Sequence, residues 1–411
     1  MGSIQASKTN QRSVFESAPY IPPDLIFEVT KNYLADSDPK KVNVGAGTYR
    51  DENGQPWVLP SVRMAKSLIA DCGHEYLPIA GLKSFRTGVT ELVFHDTTAL
   101  RNDCIASCQS LSGTGALHLA ALALKKANAS NGEVYITDPT WSNHELLFES
   151  LNFVVHKMPY YKNSAFDFDG YMESLKAAIP GSAIVLHTCA HNPTGCDPSQ
   201  AQWKEIASVV QERQLFPIFD SAYLGFNSGS VDADAWALKY FIEECNIEAA
   251  VALSFAKSMG LYGERTGMVA FVTRSPEMAV NLNSILENVQ RATVSSPVAY
   301  GSHIVSTVLN NPDIKDQWAK DLVTMSSRIQ AMRQKLYDEL VRLQTPGDWS
   351  PIIRQSGMFG YTGISPAQIK HMQDKYHIYM ADTSRISIAG LNDKNVEYFA
   401  MAIDSTVRNI Q

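Results

Sequence analysis

Residues 254–267 read SFAKSMGLYGERTG. An apolar run, residues 249–253, leads into them and reads as a buried strand. The stretch holds one lysine, Lys257, among Phe255, Ala256, Met259 and Gly260. Burying an ammonium is costly, so such a lysine either snorkels to water or has a lowered pKa and a chemical task. A desolvated lysine amine is a nucleophile for an aldehyde, with which it forms a Schiff base. Ser254 precedes Lys257 by three positions and Arg265 follows it by eight. A hydroxyl donor and a planar, two-pronged cation are what a phosphate monoester needs. Lysine for an aldehyde, with serine and arginine for a phosphate, describes a pocket for pyridoxal phosphate. The bland alternative is an ordinary loop lysine beside a surface arginine.

Outward from this stretch, residues 134–137, 183–187 and 216–219 read as further strands, with helical stretches between them such as 202–214. Alternation of this kind predicts an α/β chain with a mostly parallel sheet, covered by helices, that binds ligands at the carboxyl ends of its strands. Each strand ends in a polar cluster: Asp138-Pro139-Thr140-Trp141, residues 187–194, Asp220-Ser221-Ala222-Tyr223, and residues 254–257. After Leu111, SGTGALHLAALALKKA is a glycine-rich turn running straight into a helix, which offers free N–H groups to an anion. It is neither a Walker loop nor a dinucleotide fingerprint. Residues 61–132 otherwise read as helical with turns. An apolar strand at 42–44 ends in Gly45-Ala46-Gly47, where the backbone can approach a ligand. Residues 276–310 read as helical, broken by RATVSSPVAYGS, and a long helix over about 314–344 leads to a small α+β unit. The expected divisions are a flexible N terminus (1–13), an arm with part of a small domain (14–49), a large cofactor-binding domain (50–317), and a linking helix with a small C-terminal domain (318–411).

With 411 residues, 45% hydrophobic and 19% charged, the composition suits a well-packed enzyme of one large and one smaller domain. A formal charge of −7 gives no long-range pull on nucleic acid or an anionic membrane. An anionic ligand must therefore be held by local positive groups. The six cysteines show no CxxC pair or zinc-finger spacing and read as reduced, scattered thiols. No apolar run reaches membrane-span length. The opening MGSIQASKTNQRSVFES lacks an apolar signal core, so a cytoplasmic location is expected ahead of a mitochondrial one.

Pyridoxal phosphate asks for an acid that keeps its pyridine nitrogen protonated, and Asp220 is the candidate; read alone it also suits a turn or helix cap. Tyr223 and Asn192 can donate to the ring oxygen, although the first could be a core tyrosine and the second could merely shape the turn before Pro193. Trp141 can stack on the ring or simply pack. His187 and His191 lack acids or cysteines at ligand spacing, so packed histidines are expected there and no metal.

The motifs VNVGAGTYRDENGQPWVLP, HEYLPIAGL, SGTGALHL, PTWSNH, HTCAHNPTGCDP, FDSAYLGF, SFAKSMGLYGERTG, GMFGYTG and SRISIAGL together resemble the aspartate aminotransferase family, the fold-type I, class I pyridoxal-phosphate enzymes. The resemblance runs over nearly the whole chain. It implies a large domain with a mostly parallel seven-stranded sheet, a smaller α+β domain, and a homodimer with shared active sites. By this resemblance Lys257 is the Schiff-base lysine and proton carrier. Asp220 is the pyridinium partner, supported by His144, and Tyr223 and Asn192 serve the ring oxygen. Trp141 stacks on the ring. Ser112, Gly113, Thr114, Ser254 and Arg265 form the phosphate cup, joined by Tyr76 of the neighbouring subunit. Arg385 clamps the substrate α-carboxylate, Gly47 lines the substrate side, and Arg291 crosses the dimer interface to the distal carboxylate.

Four places depart from the family pattern. Ser296 replaces an Asn, Ser384 a Gly and Thr48 an Ala, and Ser258-Met259-Gly260 stands for Asn-Phe-Gly. The leading expectation is an aspartate:2-oxoglutarate aminotransferase. The alternative is a diverged enzyme on the same cofactor, acting on another amino acid or carrying out decarboxylation or C–C or C–S bond chemistry.

Overall fold

The computed structural model describes residues 13–23 and 25–410. The flexible segment expected over 1–13 lies, apart from Ser13, outside the described residues. The chain folds around a seven-stranded sheet. Its strands are β1 (Ile105–Leu111), β2 (Glu133–Asp138), β3 (Val154–Pro159), β4 (Ala183–His187), β5 (Phe216–Ser221), β6 (Ala249–Ser254) and β7 (Thr266–Val272). Their order across the sheet is β1-β7-β6-β5-β4-β2-β3. All neighbouring pairs are parallel except those of β7, which is antiparallel to both β1 and β6. The α/β architecture is thus as expected.

Helices cover both faces, which is why the central strands read as continuous apolar runs. Ala250 and Ala252 on β6 face a layer holding the helices Ser112–Lys126 and Pro276–Thr293. Val251 and Leu253 face the opposite layer, which holds the long helix Pro312–Arg342. Alanines on one face let the Ser112–Lys126 helix lie close against the sheet.

Three strands escaped the reading of the residues. Residues 61–132 are not all helix and turn, since β1 runs through them. Its sequence IASCQSL hides buried polar groups that find partners on neighbouring elements. Arg86 Nη1 donates to Ser107 Oγ at 3.4 Å, and Gln109 Nε2 donates to the Val298 carbonyl at 2.7 Å. β3 and β7 were likewise not picked out. The helix expected over 202–214 runs instead from Gln200 to Glu212, because Ser199 forms a capping box with Gln202. Gln214 already stands at a φ of 53°.

Elsewhere a two-residue strand, Val42–Asn43, pairs in parallel with Ile378–Tyr379. A second pair, Phe359–Tyr361 with Arg385–Ser387, is antiparallel.

β7 fixes one glycine. At Gly267 a Cβ would lie 2.5 Å from the Leu253 carbonyl oxygen and 2.6 Å from the Ser112 carbonyl carbon. Both obstacles are backbone and neither can rotate away. Gly267→Ala is expected to cost about 3 kcal/mol or more. Denaturant unfolding measures that loss, and an unchanged midpoint would contradict the packing described.

Candidate active site

The carboxyl ends of β1, β2, β4, β5 and β6 share one edge of the sheet. Antiparallel β7 begins there, so Arg265, just before it, joins them. Lys257 follows β6 in a tight turn, partly buried, with Nζ 5.3 Å from the centroid of the Tyr223 ring. Burial pushes its amine below the ordinary lysine range; the Asp220 carboxylate opposes that shift and Arg265 adds to it.

The helix Ser112–Lys126 starts immediately after β1, with no side chain capping its first turn. Its leading N–H groups therefore remain available to a ligand anion. Ser112 stands at a φ of 60°, and its Oγ lies 2.8 Å from Ser254 Oγ. Arg265, at a φ of 51°, donates through Nη1 to the Tyr262 carbonyl at 3.1 Å. Ser112, Gly113, Thr114, Ser254 and Arg265 thus line one end of a cavity of about 170 Å³. Trp141, Asn192, Asp220, Tyr223, Lys257 and Tyr262 line the rest.

Asp220 is not in a turn. It lies within β5 and is 6% exposed. His144 Nε2 sits 3.0 Å from its Oδ2, and His144 Nδ1 sits 2.8 Å from Thr140 Oγ1. Burial raises the Asp220 pKa, but the His144 hydrogen bond and the charges of His144, His187 and Lys257 outweigh it and hold the carboxyl below its usual range. His187 packs beside His144 at a ring separation of 5.2 Å, with both of its nitrogens buried and unpartnered among the described residues. Burial pushes His187 down to about 3, against the pull of Asp220. His144, His187 and Asp220 bring possible metal-ligand atoms within 4.8 Å of one another. Both His144 nitrogens are already engaged, one of them with Asp220, and His187 packs beside them beneath the cavity.

A second, contiguous cavity of about 480 Å³ lies over Lys257, lined by Gly47, Trp141, Asn192, Tyr223, Phe359 and Arg385 among others. Arg385 is 6% exposed, donates through Nη2 to the Gly45 carbonyl at 3.0 Å, and lies with Cζ 4.4 Å from the Phe359 ring centroid. At Gly47 a Cβ would come within 3.4 Å of Phe359 Cζ, so a larger side chain would press on this platform.

Two expected residues stand apart. Tyr76 is 86% exposed, and Arg291, also exposed, bonds Ser295 Oγ at 2.6 Å; neither lines these cavities. Conversely, Tyr262 and Phe359 line the site without having been singled out. Tyr262 was within the quoted stretch, three residues before Arg265, and its hydroxyl accepts from the Tyr49 N–H at 2.9 Å.

Comparison with known proteins joins this geometry to a family. Residues 39–403 match the model of the family "Aminotransferase class I and II". The chain belongs to that family. It is 45% identical over 395 residues to the cytoplasmic aspartate aminotransferase of Schizosaccharomyces pombe, covering 94% of this chain and 96% of that protein. The solved aspartate aminotransferase from Saccharomyces cerevisiae cytoplasm superposes with a TM-score of 0.94 at 41% identity, covering 97% of this chain and 99% of that one. An aromatic-amino-acid aminotransferase from Burkholderia pseudomallei, covalently bound to pyridoxal phosphate, superposes with a TM-score of 0.93 at 37% identity over 96% of this chain and 100% of that one.

This protein is therefore a fold-type I aminotransferase, and its cofactor is pyridoxal phosphate. The residues fit that cofactor on their own chemistry. Asn192 Oδ1 is buried without a partner among the described residues, which suits a polar group that meets a ligand. Two hydroxyls, an uncapped helix end and an arginine suit a phosphate, and an ionised buried carboxylate suits a ring N–H.

The buried histidines predict how this aminotransferase responds to acid. His187, at about 3 in the folded state against 6.5 unfolded, contributes stability that is fully present above pH 6.5 and is lost as pH falls toward 3. His191, also pushed well down by burial, and Asp220, held down by His144, act in the same direction. Each histidine adds a slope of up to about 1.4 kcal/mol per pH unit in that window. In His187→Asn the fall in cofactor-free stability between pH 6.5 and 4 is expected to be shallower by about one proton. Denaturant midpoints across that range measure it, and an identical slope would refute the assignment.

Proposed function

We propose that this aminotransferase moves the amino group of aspartate and glutamate to 2-oxo acids, in the cytoplasm, as a homodimer with shared active sites. The observation that carries the reading is one buried arginine, Arg385, facing the same cavity as a lysine whose amine is biased toward neutrality. The full-length likeness to proteins named cytoplasmic aspartate aminotransferase supports the choice of substrate and compartment.

In this reading Arg385 takes the substrate α-carboxylate by bidentate pairing, which orients the amino group toward Lys257. Arg291 and Tyr76, exposed and outside the cavities of their own chain, serve the site of a second copy. Arg291 would meet the distal carboxylate there, and Tyr76 the phosphate. When bound, pyridoxal phosphate supplies the carbonyl carbon that accepts the amino group and a ring that draws electrons from the substrate Cα. Lys257 Nζ, its pKa lowered by burial, would be the group that carries a proton between the substrate Cα and the cofactor. Asp220 stays ionised, so a proton remains on the ring nitrogen. Tyr223 and Asn192 would donate to the ring oxygen, and Trp141 would stack on the ring. Residues 50–317 would form the large unit, and 14–49 with 318–411 a smaller one whose closure over substrate excludes water. Two half-reactions, first with an amino acid and then with a 2-oxo acid, complete the transfer.

The departures from the family pattern do not favour a different reaction. The Ser384 hydroxyl accepts from the Gly363 N–H at 3.3 Å, and that of Ser296 donates to the Leu77 carbonyl at 2.6 Å. Both side chains are thus committed to backbone groups.

Titrating cofactor-loaded protein with amino acids tests the proposal. L-aspartate and L-glutamate should abolish the absorbance band of the lysine-bound cofactor, and 2-oxoglutarate should restore it. A response confined to another amino acid would overturn the reading. Arg291→Leu should raise the KM for both dicarboxylates about 100-fold, the loss expected for one charge-assisted pair of about 3 kcal/mol. Aromatic donors should be little affected by that change.

A further inference from the structure

Arg333 lies on the long helix Pro312–Arg342, is 3% exposed, and lines neither cavity of the site. Among the described residues no carboxylate is bonded to it. Its hydrogen bonds go to backbone carbonyls of one short loop. Nη1 donates to Ile352 at 3.0 Å, and Nη2 donates to Ser356 at 3.1 Å, to Gly357 at 2.9 Å and to Phe359. A guanidinium in the interior is expensive to desolvate, and both terminal nitrogens of this one go to residues 352–359, while Nε is buried without a partner among the described residues.

What that loop carries explains the expense. Phe359 is the platform under the Arg385 guanidinium, 4.4 Å away, and lies edge-on to Tyr223 at 6.5 Å between ring centroids. The strand it begins pairs with the strand that begins at Arg385. From the same loop, the Ser356 N–H donates to the Gly195 carbonyl at 2.7 Å and Ser356 Oγ donates to Asp197 Oδ2 at 2.9 Å. That carboxylate also accepts the N–H groups of Ala190 and His191, at 2.7 and 2.8 Å, just ahead of Asn192. Gly195 is pressed close, since a Cβ there would lie 2.8 Å from the carbonyl oxygens of both Ser356 and Phe359.

We propose that Arg333 is a positioning residue for substrate binding: by gripping the carbonyls of residues 352–359 it sets Phe359 beneath Arg385, and through Ser356 and Asp197 it ties that platform to the loop bearing Asn192. The proposal rests on Arg385 being the receptor of the α-carboxylate. A lysine at this position has one rotatable ammonium in place of a fixed fork and cannot hold all four carbonyls in register. A displacement of well under an ångström at the clamp is enough to weaken carboxylate pairing.

The test uses cofactor-loaded Arg333→Lys, Ser356→Ala and, as reference, Arg385→Lys. Arg333→Lys should raise the KM for L-aspartate and 2-oxoglutarate about 10-fold, with kcat within about 3-fold and cofactor affinity unchanged. Inhibition by succinate, which has the carboxylates but no amino group, should weaken in parallel. Ser356→Ala should move KM the same way, by about 3-fold. A lowered melting temperature or cofactor content with unchanged KM would make Arg333 a structural anchor only and overturn the proposal. Should Arg333→Lys not fold, Ser356→Ala decides alone, and an unchanged KM there overturns it. If Arg385→Lys itself leaves KM unchanged, the reading of Arg385 fails. A raised KM in Arg385→Lys with unchanged KM in the other two defeats this inference alone.

Discussion

A carboxylate kept ionised out of water is the constraint around which this molecule is arranged. Asp220 is almost wholly buried at the end of a central strand, where desolvation pushes its pKa up. A hydrogen bond to the charged form and nearby positive charge reverse that. His144 is the partner in that bond, and Thr140 holds its other nitrogen. The partner must come from a neighbouring strand end at the same height, so β2 and β5 must be in register through the intervening β4. The Thr140–His144–Asp220 line thus connects a proton-holding group at the site to the topology of a parallel sheet. Lys257 adds a second link: burial lowers its pKa, and the Asp220 charge limits how far that goes.

Much of this was legible in the chain. One short segment, residues 254–267, placed an amine, a hydroxyl and a guanidinium together, and the structure brings all three to one cavity. The polar ends of four apolar runs were legible as well, because strands covered on both faces leave a strong signal that stops abruptly where a site begins. β1 was not, since Ser107 and Gln109 are buried polar residues whose side chains find partners in Arg86 and the Val298 carbonyl, far off in sequence. No local pattern encodes such pairings. Phe359 was missed for a related reason. A phenylalanine reads as core, and its use as the floor of a charged clamp appears only when residue 385 is brought over it.

The unusual residues near the site are mostly intelligible as backbone chemistry. Ser384 stands at a φ of 64°, a conformation that costs a non-glycine residue roughly 1 kcal/mol. Its hydroxyl recovers part of that by accepting the Gly363 N–H, and its carbonyl accepts from Thr362 at 3.1 Å. Ser296 anchors the turn after the Pro276–Thr293 helix to Leu77, beside Tyr76. Two exposed residues that face away from their own cavities, Tyr76 and Arg291, are therefore carried by segments joined through one hydroxyl. The Ser258 carbonyl accepts from Trp318 Nε1 at 2.8 Å, a bond that does not depend on the serine side chain. Nothing in the structure explains the Thr48 hydroxyl, which is buried without a partner among the described residues.

The bond from Trp318 exposes a further level of organisation. Trp318 and Arg333 stand fifteen residues apart on one continuous helix, a separation of roughly 22 Å at 1.5 Å per residue. The first grips the turn that carries Lys257, and the second grips the loop that carries the Arg385 platform. Lysine and arginine must face a single small substrate from different parts of the chain, and loops alone would let them drift. A packed helix does not stretch, because each turn is locked by its own hydrogen bonds and by core contacts such as Leu322, Met325 and Ile329. Pinning both loops to the same rod converts two independent positional errors into one. The spacing between the amine and the carboxylate clamp is then a property of the helix as much as of the site.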